Sequence, residues 1–418
     1  MTTADDIFDQ SSNSIERLGL REIPFTESPI DLLDAGSETL NHVFTGREHE
    51  LRQVFNLFQS RERRRILVYG RLGIGKSAFL LEVLSVLRRK RPKMLTTYVS
   101  LPANLDIATT ALIAIAQELP DNEWAQRQLH QMGIPTAKPL KDRSSEVGGS
   151  MGIMGKISEQ NLPTTNLQYP TFALDTLLEQ AHKAYPDGIV IAIDDLDKQE
   201  PRKVSELLHD AQGVLKGRAW FMLTGHPIGM TSDLLTSERG LFDLQLPLTE
   251  LDEDTTYQML INYLSSARIG DVYDDPDDRR AILPFLPDAA RHFCQASLGK
   301  PRLFNRLGRH ILATAADLGA ETITLDILNQ GLRAAEMDML QQAALTFQEE
   351  RVRELLLNRG NLSDEDMTYE ELQELGVASF GELLPILERL ETEDLAYQIA
   401  QDDVQAFAPI PLAPLEEE

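Results

Sequence analysis

The eight residues at 70–77, GRLGIGKS, have the types and spacing needed to hold the phosphates of a nucleotide. Glycines let the backbone curl so that successive N–H groups face anionic oxygens. A lysine near the end of such a loop neutralises the β- and γ-phosphates, and the serine after it ligates Mg²⁺. The pattern therefore predicts a Mg-ATP site at the phosphate loop, which consists of Gly70, Arg71, Leu72, Gly73, Ile74, Gly75, Lys76 and Ser77.

Two adjacent carboxylates follow another apolar run, IVIAIDD, and supply the acid that a metal–nucleotide site requires. We predict that Asp194 holds Mg²⁺ through water and that Asp195 acts as a general base or positions the attacking water. Glutamate usually has the second role. Because aspartate is one methylene shorter, slow hydrolysis is consistent with this pair. Thr224 ends the next apolar run, where its hydroxyl could orient the water; the alternative is a threonine that only closes a strand.

These residues lie at the ends of apolar runs that alternate with helical patterns, which favours a mostly parallel sheet flanked by helices. The phosphate loop follows a strand at 66–70 and opens a helix at 76–90, which is the context that phosphate binding requires. The other predicted elements of this part are strands at 94–101, 188–194, 219–224 and 242–247, and helices at 47–60, 107–119, 171–184 and 201–215. The fold class is therefore α/β, a phosphate-loop core.

The pattern beyond residue 250 is helical, with segments at 253–266, 285–297, 301–318 and 325–340. Residues 345–412 then have the order helix, short helix, helix and alternating stretch, which is typical of a winged helix. We predict the following domains: an N-terminal extension at 1–40, an α/β core at 41–248, a helical domain at 249–342 and an acidic winged-helix-like domain at 343–418.

The core is interrupted at 120–168 by a stretch rich in glycine and serine. Val147, Met151 and Ile153 are spaced for a glycine-rich hairpin, and a mobile surface insertion is the alternative.

The composition limits the class of protein. The chain has 418 residues, a net charge of −26 and a single cysteine, Cys294, which excludes an internal disulfide. No apolar run approaches the ~20 residues needed to cross a bilayer, and no stretch reads as an export signal, so we expect a cytoplasmic protein without membrane contact. The acids are concentrated after residue 100, where 53 Asp/Glu oppose 25 Lys/Arg, and this disfavours DNA binding by the whole surface.

With these motifs the sequence resembles the AAA+ ATPases, in particular the origin-recognition and replication-licensing branch and the STAND signalling ATPases. The string FTGREHEL at 44–51 is similar to the motif of this family that lies against the adenine, which implies that Phe44 and Arg47 bind the nucleotide. The resemblance covers about 43–340. It implies a five-stranded parallel sheet, a helical lid and self-association into an oligomer.

Two arginines take their expected roles from the resemblance alone. The string LGKPRLFNRLGRHIL at 298–312 is similar to the lid helix of bacterial secretion-pathway and transposition-regulator ATPases, where the matching arginine, here Arg302, senses the nucleotide. Arg239 falls where the family places the arginine that reaches into a neighbouring subunit's site and stabilises the transferring phosphate.

A basic face is predicted opposite the nucleotide, because a strand start and a helix end both lie there. It consists of Arg61, Arg63, Arg64, Arg65, Arg88, Arg89, Lys90, Arg91 and Lys93. A solvated face, or contact with the chain's own acidic tail, is the simpler interpretation. Binding of nucleic acid or of an acidic partner is the alternative.

The last domain has 19 acids against four arginines over residues 345–418, which predicts a protein partner rather than DNA. Ser379 and Glu382 are spaced as a capping box, and Pro385 predicts a kink or a later start of the third helix.

Three functions follow from these observations. The first is an ATP-hydrolysing switch that controls its own assembly and a protein partner, with turnover that is slow or stimulated by the partner. The second is a DNA-associated regulator or loader in replication or transposition. The third is a nucleotide-binding scaffold that hardly hydrolyses ATP.

Overall fold

The computed structural model describes residues 12–28, 42–60, 62–135, 169–196, 199, 201–226, 241–273, 275–365, 367–401, 404–410 and 412. The chain divides into two compact units. One comprises Pro29–Thr249, and the other comprises Met1–Ser28 together with Glu250–Glu418.

The first unit, Pro29–Thr249, contains a parallel sheet of five strands in the order β2-β3-β4-β1-β5. The predicted α/β class and the five-stranded sheet are confirmed. The strands are β1 (Arg65–Tyr69), β2 (Met94–Ser100), β3 (Gly188–Asp194), β4 (Trp220–Gly225) and β5 (Leu244–Pro247). The helices are α1 (Glu48–Leu57), α2 (Lys76–Lys90), α3 (Ile107–Gln117), α4 (Glu123–Gln131), α5 (Pro170–Ala184), α6 (Pro201–Asp210) and α7 (Gln212–Leu215).

Strands β3 and β4 lie inside the sheet and are buried along their whole length. Their continuous apolar sequences are those expected when both faces of a parallel sheet are covered. One face packs on α2, and the other packs on α3 and α5. Because the carboxyl ends of parallel strands meet at one edge, the phosphate loop and the acidic pair of Asp194 and Asp195 are brought together there.

Two details of this unit differ from the prediction. Helix α4 lies inside the predicted insertion and is capped by Asn122, whose side chain accepts hydrogen bonds from the N–H groups of Trp124 and Ala125. The rest of the insertion, with Val147, Met151 and Ile153, lies outside the described residues. The single helix predicted at 201–215 is divided between α6 and α7.

The second unit begins with residues 12–28, which pack into a helical core. Its helices are α8 (Glu253–Ala267), α9 (Pro287–Ala296), α10 (Pro301–Asp317) and α11 (Leu325–Ala343). The ring of Phe25 stacks on Tyr263 at 5.5 Å and lies edge-on to Phe293 and Phe304. Gly308 leaves room for it, since a Cβ there would lie 2.7 Å from the Phe25 ring. This part of the predicted extension is therefore integral to the helical core.

The C-terminal elements have the winged-helix order. They are α12 (Phe347–Arg359), β6 (Leu362–Ser363), α13 (Tyr369–Glu374), α14 (Phe380–Thr392), β7 (Ala396–Gln401) and β8 (Val404–Pro409). The strands form an antiparallel sheet in the order β6-β8-β7. The three helices and the alternating stretch, which forms a hairpin, follow one another in the predicted order, whereas the strand β6 was not predicted.

Two details at the start of α14 differ from the prediction. Ser379 is the N-cap residue but its side chain makes no capping bond, and Glu382 accepts from the N–H of Ala378, one residue before the position that a capping box requires. The later start that Pro385 suggested is wrong, since the helix begins at Phe380 and continues through this proline, while a kink there stays a prediction.

Candidate functional site

The phosphate loop has the backbone shape that the sequence predicts. It joins β1 to α2, and Gly73 and Gly75 adopt positive φ values of 74° and 94°. A Cβ on Gly70 would lie 2.6 Å from the carbonyl oxygen of Leu248. Glycine is therefore needed at all three positions, either for a left-handed conformation or for a close approach.

The Lys76 ammonium lies within this loop. Its side chain is buried, and Nζ donates to the carbonyl oxygens of Gly70 at 2.9 Å and Arg71 at 3.0 Å. These bonds hold the charge where phosphate oxygens can replace the two carbonyls. The lysine also begins α2, so the helix N-terminus adds its partial positive charge.

Asp194 is buried and receives hydroxyl donors from three elements. The Thr224 hydroxyl donates to Oδ1, the Tyr98 hydroxyl donates to Oδ2 at 2.5 Å, and the Ser77 hydroxyl is a third partner. Burial first, and then the charge of Asp195, raise the pKa of Asp194, while the three hydroxyls oppose that rise. A cation beside this carboxylate would favour its charged form.

The donor set fits Mg²⁺ bound to a nucleotide. The carboxylate of Asp194 and the hydroxyl of Ser77 are oxygen ligands of the kind Mg²⁺ prefers, and the hydroxyl already favours the charged form of that carboxylate. Within the described part of the chain, no three His, Cys, Asp or Glu side chains cluster to hold a metal by themselves. A Mg²⁺ ion needs no such cluster when phosphates supply its other ligands.

Asp195 has the left-handed backbone conformation, with φ of 65°. Its N–H donates to Asp194 Oδ1 at 2.9 Å and to Thr224 Oγ1 at 3.0 Å, so its backbone is tied to the same cluster. Its carboxylate accepts a hydrogen bond from the Ser100 hydroxyl at the end of β2.

Tyr98 and Ser100 were missed as site residues. Both lie on β2, and their contacts depend on β2 being the neighbour of β3, where Ser100 pairs with Asp194 in register. Burial and the charge of Asp194 raise the pKa of Tyr98, so its phenol remains a donor. The sequence signal that could have identified them is a pair of residues with hydroxyl groups at the end of an apolar strand.

Phe44 and Arg47 lie next to the phosphate loop. The Phe44 ring is 6.3 Å from that of Phe79 in the first turn of α2. The buried Arg47 guanidinium donates to the carbonyl of Ile74 at 3.4 Å and to that of Thr249 at 2.5 Å. Arg47 therefore stabilises the phosphate loop through its bond to Ile74, while its contact with adenine stays a prediction.

The two arginines inferred from resemblance have different outcomes. Arg302 lies in the first turn of α10, where it forms an ion pair with Asp394. Its role as a nucleotide sensor is not tested by this contact. Arg239 lies outside the described residues.

The basic face is partly neutralised within its own unit. Arg64 and Arg65 pair with Asp243. Partial burial raises the pKa of the Asp243 carboxyl. The hydrogen bonds from Arg65 and the charges of Arg65 and Arg64 outweigh burial and hold this pKa below its ordinary value. Asp243 is thus one acid that meets this face, and Glu62, which also pairs with Arg64, is another. Arg88 donates to the Thr96 hydroxyl at 3.2 Å. The outer members Arg63, Arg88 and Arg89 remain solvent-exposed, and Arg91 is half-buried.

None of the described helices is long and apolar enough to cross a membrane.

Part of this chain resembles a known protein family. Residues 43–216 match the family model described as "AAA ATPase domain". No curated protein matches the sequence.

Several solved structures are similar in shape to this chain. The Orc1 protein of Aeropyrum pernix, solved with DNA, is 15% identical with a TM-score of 0.48, and the match covers 89% of this chain and 91% of that one. Cdc6p of Pyrobaculum aerophilum is 15% identical with a TM-score of 0.43, covering 88% and 90%. The Walker-type ATPase PABY2304 of Pyrococcus abyssi is 16% identical with a TM-score of 0.48, covering 88% and 95%. Likeness at this level says nothing about function.

Proposed function

We propose that this chain, which carries an AAA ATPase domain over residues 43–216, binds Mg-ATP at the phosphate loop and hydrolyses it to ADP and phosphate. One observation carries the proposal. The buried carboxylate of Asp194 at the end of β3 lies near the start of α2, where the Ser77 hydroxyl lowers the pKa of that carboxylate. A phosphate cradle and a metal carboxylate thus share one edge of the sheet.

Each residue has a distinct part in binding. Loop N–H groups and Lys76 hold the phosphates, with the ammonium exchanging its carbonyl partners for phosphate oxygens. Ser77 and Asp194 would hold Mg²⁺, which supplies charge neutralisation on the phosphates when bound. Thr224 donates its hydroxyl to Asp194 and so fixes the direction in which this carboxylate faces.

Asp195 has the chemical role. In hydrolysis a water oxygen bonds to the γ-phosphorus, the bond to the ADP oxygen breaks, and the water proton passes to a base. We assign that base, or the orientation of the water, to Asp195. Because Ser100 occupies one of its oxygens and the side chain is short, turnover is slow or depends on a stimulating partner.

The nucleotide state is proposed to control self-association and a protein partner. In an oligomer, Arg239 would complete the site of a neighbouring subunit. The partner would bind the acidic C-terminal elements, since their charge repels nucleic acid and favours a basic protein surface.

Two alternatives each have an observation in their favour. The exposed cations Arg63, Arg88 and Arg89 favour a DNA-associated regulator, which would show steeply salt-dependent DNA binding. The bond from Ser100 to Asp195 favours a scaffold that keeps ATP unhydrolysed, which would retain ATP through purification.

Lys76→Ala tests the proposal most simply, with Lys90→Ala as a matched control at the exposed end of the same helix. Titration with a fluorescent ATP analogue is expected to show binding by wild type and by Lys90→Ala, and none by Lys76→Ala. Normal binding by Lys76→Ala would contradict the assignment of the site.

A further inference from the structure

Arg47 joins the phosphate loop to the exit of β5. Its Nη2 donates to the carbonyl oxygen of Thr249 at 2.5 Å and to that of Ile74, near the end of the loop, at 3.4 Å. Its Nη1 lies 3.7 Å from Glu50 Oε1. All four residues belong to the first unit, Pro29–Thr249. One guanidinium thus connects two backbone segments that are far apart in the chain.

The exit of β5 is itself fixed to the beginning of the loop. The N–H of Leu248 donates to the carbonyl oxygen of Tyr69 at 2.7 Å, and a Cβ on Gly70 would lie 2.6 Å from the carbonyl oxygen of Leu248. Because Leu248 precedes Thr249, these contacts and those of Arg47 form a closed ring with the loop. Arg47 supplies the link between the exit of β5 and the far end of the loop.

The bond to Ile74 fixes the direction of one peptide group in the loop. In a trans peptide the C=O and the N–H point in opposite directions, so the N–H of Gly75 points away from the guanidinium that the Ile74 carbonyl faces. No backbone carbonyl of the described residues accepts this N–H. Gly75 is the N-cap residue of α2, where N–H groups are suited to bind phosphate. Arg47 therefore orients a donor of the proposed site.

Little of the Arg47 side chain is left for a base. It is only 7% exposed, and its Nη2 already has two carbonyl acceptors. Turning the guanidinium toward an adenine would leave the carbonyl oxygen of Ile74, a buried residue, without this donor, which costs free energy. The contacts of Arg47 thus favour a role toward the loop backbone.

We propose that Arg47 is a positioning residue that holds the phosphate loop in its phosphate-binding shape and does not contact the adenine. This inference rests on the proposed function, in which the loop binds the phosphates of Mg-ATP. Because Arg47 acts through the peptide between Ile74 and Gly75, its contribution belongs to the phosphates alone. The contribution is therefore the same for any ligand with this phosphate chain, with or without a base.

Inorganic tripolyphosphate separates this role from a base contact. It carries three linked phosphates, as ATP does, and has neither sugar nor base. Loss of a positioning residue weakens the binding of ATP and of tripolyphosphate by the same factor, whereas loss of a base contact weakens the binding of ATP alone. Loss of a residue that only stabilises the fold lowers Tm and leaves both affinities of the folded protein unchanged.

The test is competition of ATP and of tripolyphosphate against a fluorescent ATP analogue, with Mg²⁺, on the full-length wild type and Arg47→Gln. We expect both affinities to fall by the same factor, at least about tenfold, as for the loss of one hydrogen bond to a charged group. A weakened affinity for ATP with an unchanged affinity for tripolyphosphate would overturn the proposal in favour of a base contact. Two unchanged affinities, or failure of tripolyphosphate to displace the analogue from wild type, would overturn it as well.

Arg52→Gln is the matched control. Arg52 is an exposed residue of α1, the helix that Arg47 precedes as N-cap, so its replacement removes the same charge from the same part of the molecule. Both affinities of Arg52→Gln are expected to equal those of wild type. A loss as large as that of Arg47→Gln would mean that general loss of positive charge weakens phosphate binding, which would overturn the positioning role.

Arg47→Lys decides the matter if Arg47→Gln fails to fold. Lysine keeps a charge beside Glu50 but lacks the planar fork that reaches both carbonyl oxygens. Both affinities are again expected to fall by one common factor, and a loss confined to ATP would overturn the proposal. Failure of the proposed function gives a different result. In that case wild type would bind neither ATP nor tripolyphosphate, or Lys76→Ala would bind both normally.

Discussion

Thr224→Val removes a single buried hydroxyl from the centre of the site. Thr224 is fully buried, donates to Asp194 Oδ1, and accepts from the N–H of Asp195 at 3.0 Å. Valine keeps the volume but cannot donate. The Asp195 N–H retains its bond to Asp194 Oδ1 at 2.9 Å, so the main loss is the hydrogen bond to the carboxylate.

The magnitude follows from the charge of the acceptor. A hydrogen bond to a charged group contributes about 1.5–3 kcal/mol, so we expect Thr224→Val to lower the free energy of unfolding by about 2 kcal/mol. For a unit of roughly 200 residues this corresponds to a fall in Tm of about 4–8 °C. Thr224→Ser keeps the hydroxyl and loses a methyl group, which costs about 1 kcal/mol.

The loss of stability caused by Thr224→Val depends on pH, because it involves the charged form of Asp194. The Thr224 hydroxyl lowers the pKa of Asp194, which burial and Asp195 raise, so Thr224→Val raises that pKa further. A raised carboxyl pKa in the folded state means that stability is lost as pH rises through it. The difference in the free energy of unfolding between wild type and Thr224→Val is therefore expected to be larger at neutral pH than in mild acid.

Thermal unfolding of wild type, Thr224→Val and Thr224→Ser without nucleotide at two pH values provides the assay. The expected order of Tm is wild type, then serine, then valine. A valine variant as stable as wild type would refute the reasoning, because it would show that the hydroxyl does not stabilise the Asp194 carboxylate.

Three further predictions concern turnover and partners. Ser100→Ala is expected to leave ATP affinity unchanged and to raise the rate of phosphate release by up to about tenfold, because it frees Asp195 from a hydrogen bond of ~1.5 kcal/mol. A fall in that rate would mean that Ser100 orients the base. Arg239→Ala is expected to lower turnover by about a thousandfold with ATP affinity nearly intact, and mixing it with Lys76→Ala should restore activity; complete absence of rescue would argue against catalysis between subunits. A fragment of residues 345–418 is expected not to shift duplex DNA at low salt, and tight, salt-sensitive binding would favour the DNA-associated alternative.

The phosphate loop and the sheet could be predicted because their signals are local. The strands β3 and β4 are apolar runs buried on both faces, and the loop glycines need backbone shapes that other residues rarely adopt. Helix α4 carried a local signal too, the Asn122 cap, which the glycine- and serine-rich surroundings obscured.

The contacts that the sequence could not predict join residues far apart in the chain. Tyr98 reaches Asp194 only because β2 lies beside β3. Arg302 reaches Asp394 across a separation of 92 residues, through the packing of α14 near α10. Local sequence patterns predict neither the order of strands in a sheet nor the packing of helices against each other.

Phosphate release by Asp195→Asn, measured together with its ATP affinity, tests the central claim most directly. Asparagine keeps the size of the side chain and removes its ability to accept a proton. The proposed function predicts that Asp195→Asn binds Mg-ATP about as tightly as wild type and releases phosphate far more slowly. Release at the wild-type rate by a variant that binds normally would contradict the claim that this site hydrolyses ATP through Asp195.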